Sequence, residues 1–216
     1  MDSAIRDIWR AYQRAPLSCK VRVVVRYLSC PFHSLLPFFP SSGQFLDVGC
    51  GDGLLLFLLS RHPSVDSRKY VGIDIDQKKI MNAQTLQIDK SEFRHERVSN
   101  VPSESFDCVS VMDVLYLLPI SDWPNFLGHC VRVLKADGFL IIKENNNAPR
   151  WKYWLAYLQE LISIYITRMT QGGRPHLESV ELYCENIRAA GGNVLQVKRV
   201  DKGFPYPHVM FLARKV

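Results

Sequence analysis

No stretch of this 216-residue chain supplies the ~18 uncharged apolar residues that a membrane-spanning helix needs; the longest apolar run, Val109 to Ile120, is broken by Asp113. A membrane span is not expected. A signal peptide is not expected either, because Arg6, Arg10 and Arg14 interrupt any continuous apolar segment in the opening MDSAIRDIWRAYQR. Export is not expected, and the reading is cytoplasmic. The six cysteines (Cys19, Cys30, Cys50, Cys108, Cys130 and Cys184) stand far apart without a CxxC pair. They read as reduced thiols, with no metal site expected. Twelve glycines and twelve prolines are too few for a low-complexity or collagen-like chain, and 47% apolar with 22% charged residues is ordinary globular composition. The length suits one domain with an appendage.

Acids are outnumbered by bases, giving a formal charge of +6. That modest excess favours anionic partners without demanding nucleic acid. Much of it sits early, with Arg6, Arg10, Arg14, Lys20, Arg22 and Arg26 against Asp2 and Asp7. An anionic docking surface, including peripheral contact with a membrane, is therefore sought in residues 1–40. These read as a helical appendage, since Val21, Val24, Val25 and Leu28 recur at helical spacing with Lys20, Arg22 and Arg26 on other faces.

From residue 41 to 216 strands and helices alternate. A strand at Gln44 to Val48 leads through a glycine-rich turn into an apolar helix (Leu54 to Ser60). A second strand (Tyr70 to Asp74) is followed by a helix that Asp76 caps. Further strands are expected near Phe93 to Val98, at Phe106 to Met112 and at Phe139 to Lys143, the last preceded by a helix from Trp123 to Leu134. An aromatic-rich helix runs from about Trp151 to Met169, then a Gly172-Gly173 break, then a helix from Ser179 to Ala190. Strands Asn193 to Val200 and His208 to Arg214 close the chain as an antiparallel hairpin. The alternation implies a doubly wound α/β fold with a mostly parallel sheet.

Asp47-Val48-Gly49-Cys50-Gly51-Asp52-Gly53 places three glycines between a strand and a helix. Glycine there permits a tight turn and lets a ligand approach main-chain N–H groups. A nicotinamide-binding GxGxxG loop would need glycine where Leu54 stands. Asp47 would oppose a pyrophosphate, yet suits an ammonium group. Asp74, at the end of the next strand and about 20 residues on, stands where a carboxylate bonds a ribose diol.

Asp47-x-Gly49-x-Gly51-x-Gly53 followed by Gly72-Ile73-Asp74 resembles the class I S-adenosylmethionine-dependent methyltransferases of the small-molecule type. The resemblance implies a Rossmann-like sheet of order 3-2-1-4-5-7-6 with one antiparallel strand, and S-adenosylmethionine as cofactor. It also implies that Asp47, Gly49, Cys50, Gly51 and Gly53 hold the methionine end, Asp74 the ribose and Ile75 the adenine. Many members have an acid after the third strand that bonds the adenine amino group; Arg97-Val98-Ser99-Asn100 holds none, so Ser99 or Asn100 would substitute, or main chain would hold the adenine, with Met112 beside the cofactor.

The reacting centre of such sheets lies beyond the carboxyl ends of the strands. Asp113, Tyr116, Glu144 and Asn145 are the residues there. Asp113 and Glu144 are candidate bases, and His176, after a Gly-Gly-Arg-Pro turn, is a third. His208 is a weaker one. Residues after the fourth strand lack the Asn/Asp-Pro-Pro-aromatic motif of nucleic-acid amino-methyltransferases, which disfavours that acceptor. The expected acceptor is small, apolar or aromatic, lipid-like or carrier-bound. The apolar surplus of the 151–169 helix would serve a pocket, a second subunit, a membrane surface or a lid. A non-catalytic cofactor-binding module, an RNA methyltransferase and a dehydrogenase remain the rival readings.

Overall fold

Successive side chains of a strand point to opposite faces of its sheet, and in the computed structural model this alternation sorts the core into two layers. The structure describes residues 3–62, 67–162 and 175–216. Strands β1 (Ser42–Val48), β2 (Ser67–Asp74), β3 (Ser91–His95), β4 (Phe106–Met112), β5 (Leu134–Asn145), β6 (Gly192–Arg199) and β7 (His208–Lys215) form one sheet ordered β3-β2-β1-β4-β5-β7-β6. β7 runs antiparallel to both β5 and β6, and the other pairings are parallel. The expected α/β architecture and strand order are present.

One face carries Leu46, Val48, Val109, Val111 and Ile142 against α6 (Trp123–Arg132) and α8 (Val180–Ala189). α6 presents Trp123, Leu127, Cys130 and Val131 inward at helical spacing. The fully buried Trp123 indole donates to the Leu115 carbonyl at 2.8 Å and stacks on Tyr183. Ser179 caps α8 by accepting the Leu182 N–H.

The opposite face carries Phe45, Cys108, Ile141 and Met210. It is covered by α4 (Leu54–Ser60), α5 (Gln77–Ala83) and the N-terminal helices α1 (Ser3–Ala11), α2 (Leu17–Ser29) and α3 (Phe32–Leu35). α4 is apolar all round because it is buried between sheet and N-terminal helices. The N-terminal helices thus share a core with the sheet.

α2 forms where the sequence places it, but with its faces exchanged. Cys19, Val23 and Tyr27 face the core, whereas Val21, Val25 and Leu28 are exposed. The reason is electrostatic as well as steric: Arg22 and Arg26 turn inward to meet acids of the sheet, and the valines are left outside.

Two boundaries also move. β5 begins at Leu134, and the Lys135 to Gly138 stretch expected to end a helix is a bulge. The Lys135 ammonium holds it against Asp107 at 2.9 Å, and Asp137 adopts φ 59°. β3 stops at His95, with a 3-10 turn over Val98–Asn100. The aromatic helix is seen as α7 (Arg150–Leu161); its expected continuation to Met169 and the Gly172-Gly173 break lie outside the described residues. Among the described residues, no helix is long and apolar enough to cross a membrane.

Candidate active site

A cavity of about 650 Å³ opens at the carboxyl ends of β1, β2, β4 and β5, with α2 as its roof. One end is built by the glycine loop. The Gly49 and Cys50 N–H groups donate to the Ile73 carbonyl, which fixes the turn against β2. Gly49 has φ +74°, and an added Cβ would lie 2.5 Å from the Val114 side chain. Gly51 has φ +57°, but its missing Cβ faces open space, and its N–H donates to Asp74 at 2.8 Å. Close packing therefore requires glycine at 49, whereas at 51 only the backbone conformation favours it, and the space beside it is open to the cavity. Gly53 departs from expectation. It does not line the cavity; its φ of +84° and the rings and methyls of Phe93 and Leu86, 2.9 Å from a Cβ there, make it a packing residue.

Asp47 is buried at the cavity wall and accepts the Ser110 hydroxyl at 2.7 Å. Burial pushes its carboxyl up to about 7, even though Ser110 and the Arg26 charge act against that rise. A buried carboxylate with one oxygen partnered suits a cationic ligand group. Asp74 accepts N–H groups from both Gly51 and Asp76, each at 2.8 Å, and so orients toward the cavity. Cys50, Ile75, Ser99 and Met112 line the same space; Asn100, the exposed last residue of the 3-10 turn, does not. Glu96, an acid just upstream of the segment where none was expected, does line it. The open Gly51 face, the Asp47 carboxyl and the Asp74 carboxyl are a donor set that fits an amino-acid-bearing nucleoside.

Asp52, inside the motif, was not singled out from the sequence. Its carboxylate takes Arg22 Nε at 2.7 Å and Nη2 at 2.6 Å, and Asn82 Nδ2 at 2.9 Å. Tyr12 donates its hydroxyl to the Asp52 carbonyl at 2.8 Å. Although burial alone would raise it, Arg22 holds the Asp52 carboxyl below its usual range. The N-terminal helices are thereby pinned to the glycine loop. The only sequence signal was an acid in the loop and arginines one turn apart in α2.

At the other end the structure brings Asp113 together with two cations. Lys143, 1% exposed, reaches Asp113 at 2.6 Å, and Arg26 lies 3.3 Å from the same carboxylate and donates to the Met112 carbonyl. Burial would raise the Asp113 carboxyl, but Lys143 and Arg26 hold it below the usual range. Asp113 lines the cavity as a tied anion rather than a free base.

Glu144 is corrected as a base: it is fully buried, off the cavity, and its Oε1 accepts the Val114 and Leu115 N–H groups at 2.9 and 2.8 Å. Burial, then repulsion from Asp113, pushes it up to about 8. It shapes the turn after β4. His176 also lies off the cavity; its main-chain N–H donates to the Tyr116 carbonyl at 2.8 Å.

His208, opposite Asn145 on β5, does line the cavity. Its Nε2 meets the Ser29 carbonyl at 2.8 Å, and since a carbonyl only accepts, Nε2 carries the proton. Burial and the Lys143 charge depress the ring to about 3, so it is neutral. Apolar side chains, including Phe32, Val114, Leu117, Leu118 and Phe126, also line the cavity.

Comparison with known proteins agrees with this geometry. The family described as "Methyltransferase domain" matches residues 46–142, from β1 to β5. A ubiquinone biosynthesis O-methyltransferase of Rhodopseudomonas palustris (strain BisB5) is 33% identical over 114 residues, 50% of this chain and 42% of that protein. The match thus spans less than half the length of that relative. Among solved structures, human N-acetylserotonin methyltransferase in complex with S-adenosylmethionine superposes with a TM-score of 0.69 at 19% identity, covering 96% of this chain and 57% of that one. A methyltransferase from Aquifex aeolicus does so at 0.64 and 21%, covering 88% and 92%. Residues 46–142 thus match a methyltransferase domain, and the fold, with the glycine loop and Asp74 lining one cavity, is that of solved S-adenosylmethionine-dependent methyltransferases.

Proposed function

We propose that this protein transfers a methyl group from S-adenosylmethionine to a hydroxyl oxygen of an apolar, aromatic or lipid-like small molecule. The observation that carries the reading is that one cavity is lined by Asp47, Gly51 and Asp74, by Asn145 and His208, and by apolar side chains such as Phe32, Leu117 and Phe126. The names of relatives that methylate oxygen in ubiquinone biosynthesis support the same acceptor chemistry.

S-adenosylmethionine supplies an activated methyl group, so the protein's own task is alignment and exclusion of water. Asp47 holds the ammonium of the methionine end. Asp74 accepts from the ribose hydroxyls, and Gly51 leaves room for close approach. Ser99, Glu96 and Ile75, which line the same cavity, would hold the adenine end. The apolar walls orient the acceptor's ring or chain, and the neutral His208 and Asn145 bind its polar end. Asp113 keeps Lys143 and Arg26 compensated beneath the site, so that the acceptor does not meet bare charge.

The test begins with calorimetric titration of S-adenosylmethionine, S-adenosylhomocysteine and NADH. Binding of the first two alone is expected; binding of NADH alone overturns the reading. Methyl-labelled cofactor is then offered to phenols with and without an alkyl tail, and label in the organic extract is measured. Preference for the tailed phenol is expected. Cofactor binding without transfer to any phenol would overturn the acceptor assignment and leave a binding module.

A further inference from the structure

Two helices that reach the cavity carry apolar faces that no other element covers among the described residues, although Trp154 packs edge-on against Tyr153 and Tyr157 of its own helix. On α2, Leu17, Val21, Val25 and Leu28 form one exposed apolar stripe. On α7, Trp151, Trp154, Leu155, Leu158 and Ile162 form another, with Trp151, Trp154 and Leu158 each about 60% exposed. Both stripes have the i, i+3, i+4 spacing by which a helix buries a face. Yet the face of α2 that meets the sheet is the opposite one. The two stripes flank the same opening: Val25 of α2 and Gln159 of α7 both line the cavity.

The surroundings are basic. Arg6, Arg10 and Arg14 on and after α1 are exposed and enter no ion pair among the described residues. Trp9, 40% exposed, lies under the Lys20 ammonium at 5.7 Å, which ties α1 to α2 at this side. Exposed tryptophans and leucines, with the arginine-bearing α1 tied to α2 through Trp9 and Lys20, are what a bilayer interface takes up: the rings and aliphatic chains enter the headgroup boundary and the cations meet anionic lipid. A second protein of ordinary surface composition would not need the uncompensated positive charge.

We infer that the α2 and α7 faces dock this protein on an anionic lipid bilayer, with the cavity mouth turned toward the membrane. An apolar acceptor then enters from the lipid without crossing water. Docking stands apart from the methyl-transfer reading, since it requires only the two helix faces and the arginines.

The experiment is co-sedimentation of the full chain with vesicles of phosphatidylcholine alone or with about one-third phosphatidylglycerol. The native protein is expected to sediment with the anionic vesicles and not the neutral ones, and to be released by salt. Val21→Glu, Trp154→Glu and Leu158→Glu combined are expected to weaken that binding at least about tenfold. These side chains are exposed, so thermal unfolding and S-adenosylhomocysteine affinity should match the native protein, which separates failure of docking from failure of the site. Arg6→Ala with Arg10→Ala should weaken anionic binding without abolishing the apolar part. Three results overturn the proposal: no sedimentation with anionic vesicles, undiminished binding by the triple variant, or a native dimer by light scattering that the triple variant dissolves.

Discussion

Replacing Arg22 by alanine isolates the contact that ties the N-terminal helices to the glycine loop. The Asp52 side chain is 7% exposed and receives two guanidinium hydrogen bonds; the Arg22 side chain is 24% exposed. Breaking a fully buried ion pair costs about 3–5 kcal/mol, and losing hydrogen bonds to a charged group about 1.5–3. Because Asn82 and Cys19 still contact Asp52, and Arg22 is partly exposed, the lower range applies. The expected loss is about 2–3 kcal/mol, read by urea unfolding near pH 7.5.

The pH dependence gives the sharper check. With Arg22 present the folded-state pKa of Asp52 is depressed, so its stabilisation is present above the unfolded value near 4 and is lost only in acid. Without Arg22 burial dominates and the folded-state value rises above the unfolded one. The folded variant then gains a proton that the unfolded chain does not, and the cost of the substitution shrinks as pH is lowered toward 5. Asp52→Asn in the Arg22→Ala background should recover part of the loss. A loss under about 0.5 kcal/mol, or one that is the same at pH 7.5 and pH 5, would refute the clamp.

Cofactor affinity should fall as pH drops through about 7, the value to which burial pushes Asp47, approaching about tenfold per pH unit because the ligand ammonium selects the ionised form. Asp47→Asn should weaken binding and flatten that profile in calorimetry. Gly49→Ala should destabilise the fold by about 1–3 kcal/mol through its contact with Val114, whereas Gly51→Ala, which meets open space, should cost about 1 kcal/mol yet reduce S-adenosylhomocysteine affinity. Thermal unfolding and calorimetry on the same two variants separate the roles. Asp74→Ala should lower cofactor affinity at least about tenfold, and unchanged affinity would sink the ribose assignment.

Local pattern was enough for the sheet. Period-two apolar runs, the Asp76 and Ser179 caps and the glycine loop each encode a conformation within a few residues, so the strands, most helices and Asp47, Gly51 and Asp74 at the cavity were legible. Glu144 and His176 were misplaced for a different reason. A residue's position after a strand end does not say whether it faces the cavity or the turn behind it, and Glu144 is consumed by two main-chain N–H groups.

What tertiary structure alone decided was the pairing of charges across long separations and the choice of face. Lys143 reads as the end of an apolar strand until Asp113 meets it; His208 reads as a lone histidine until Ser29, 179 residues away in sequence, fixes its tautomer. The amphipathic pattern of α2 offers two faces, one of valines and one with arginines. The buried acids Asp52 and Asp113 select the arginine side, because leaving them unpaired costs more than leaving valines in water.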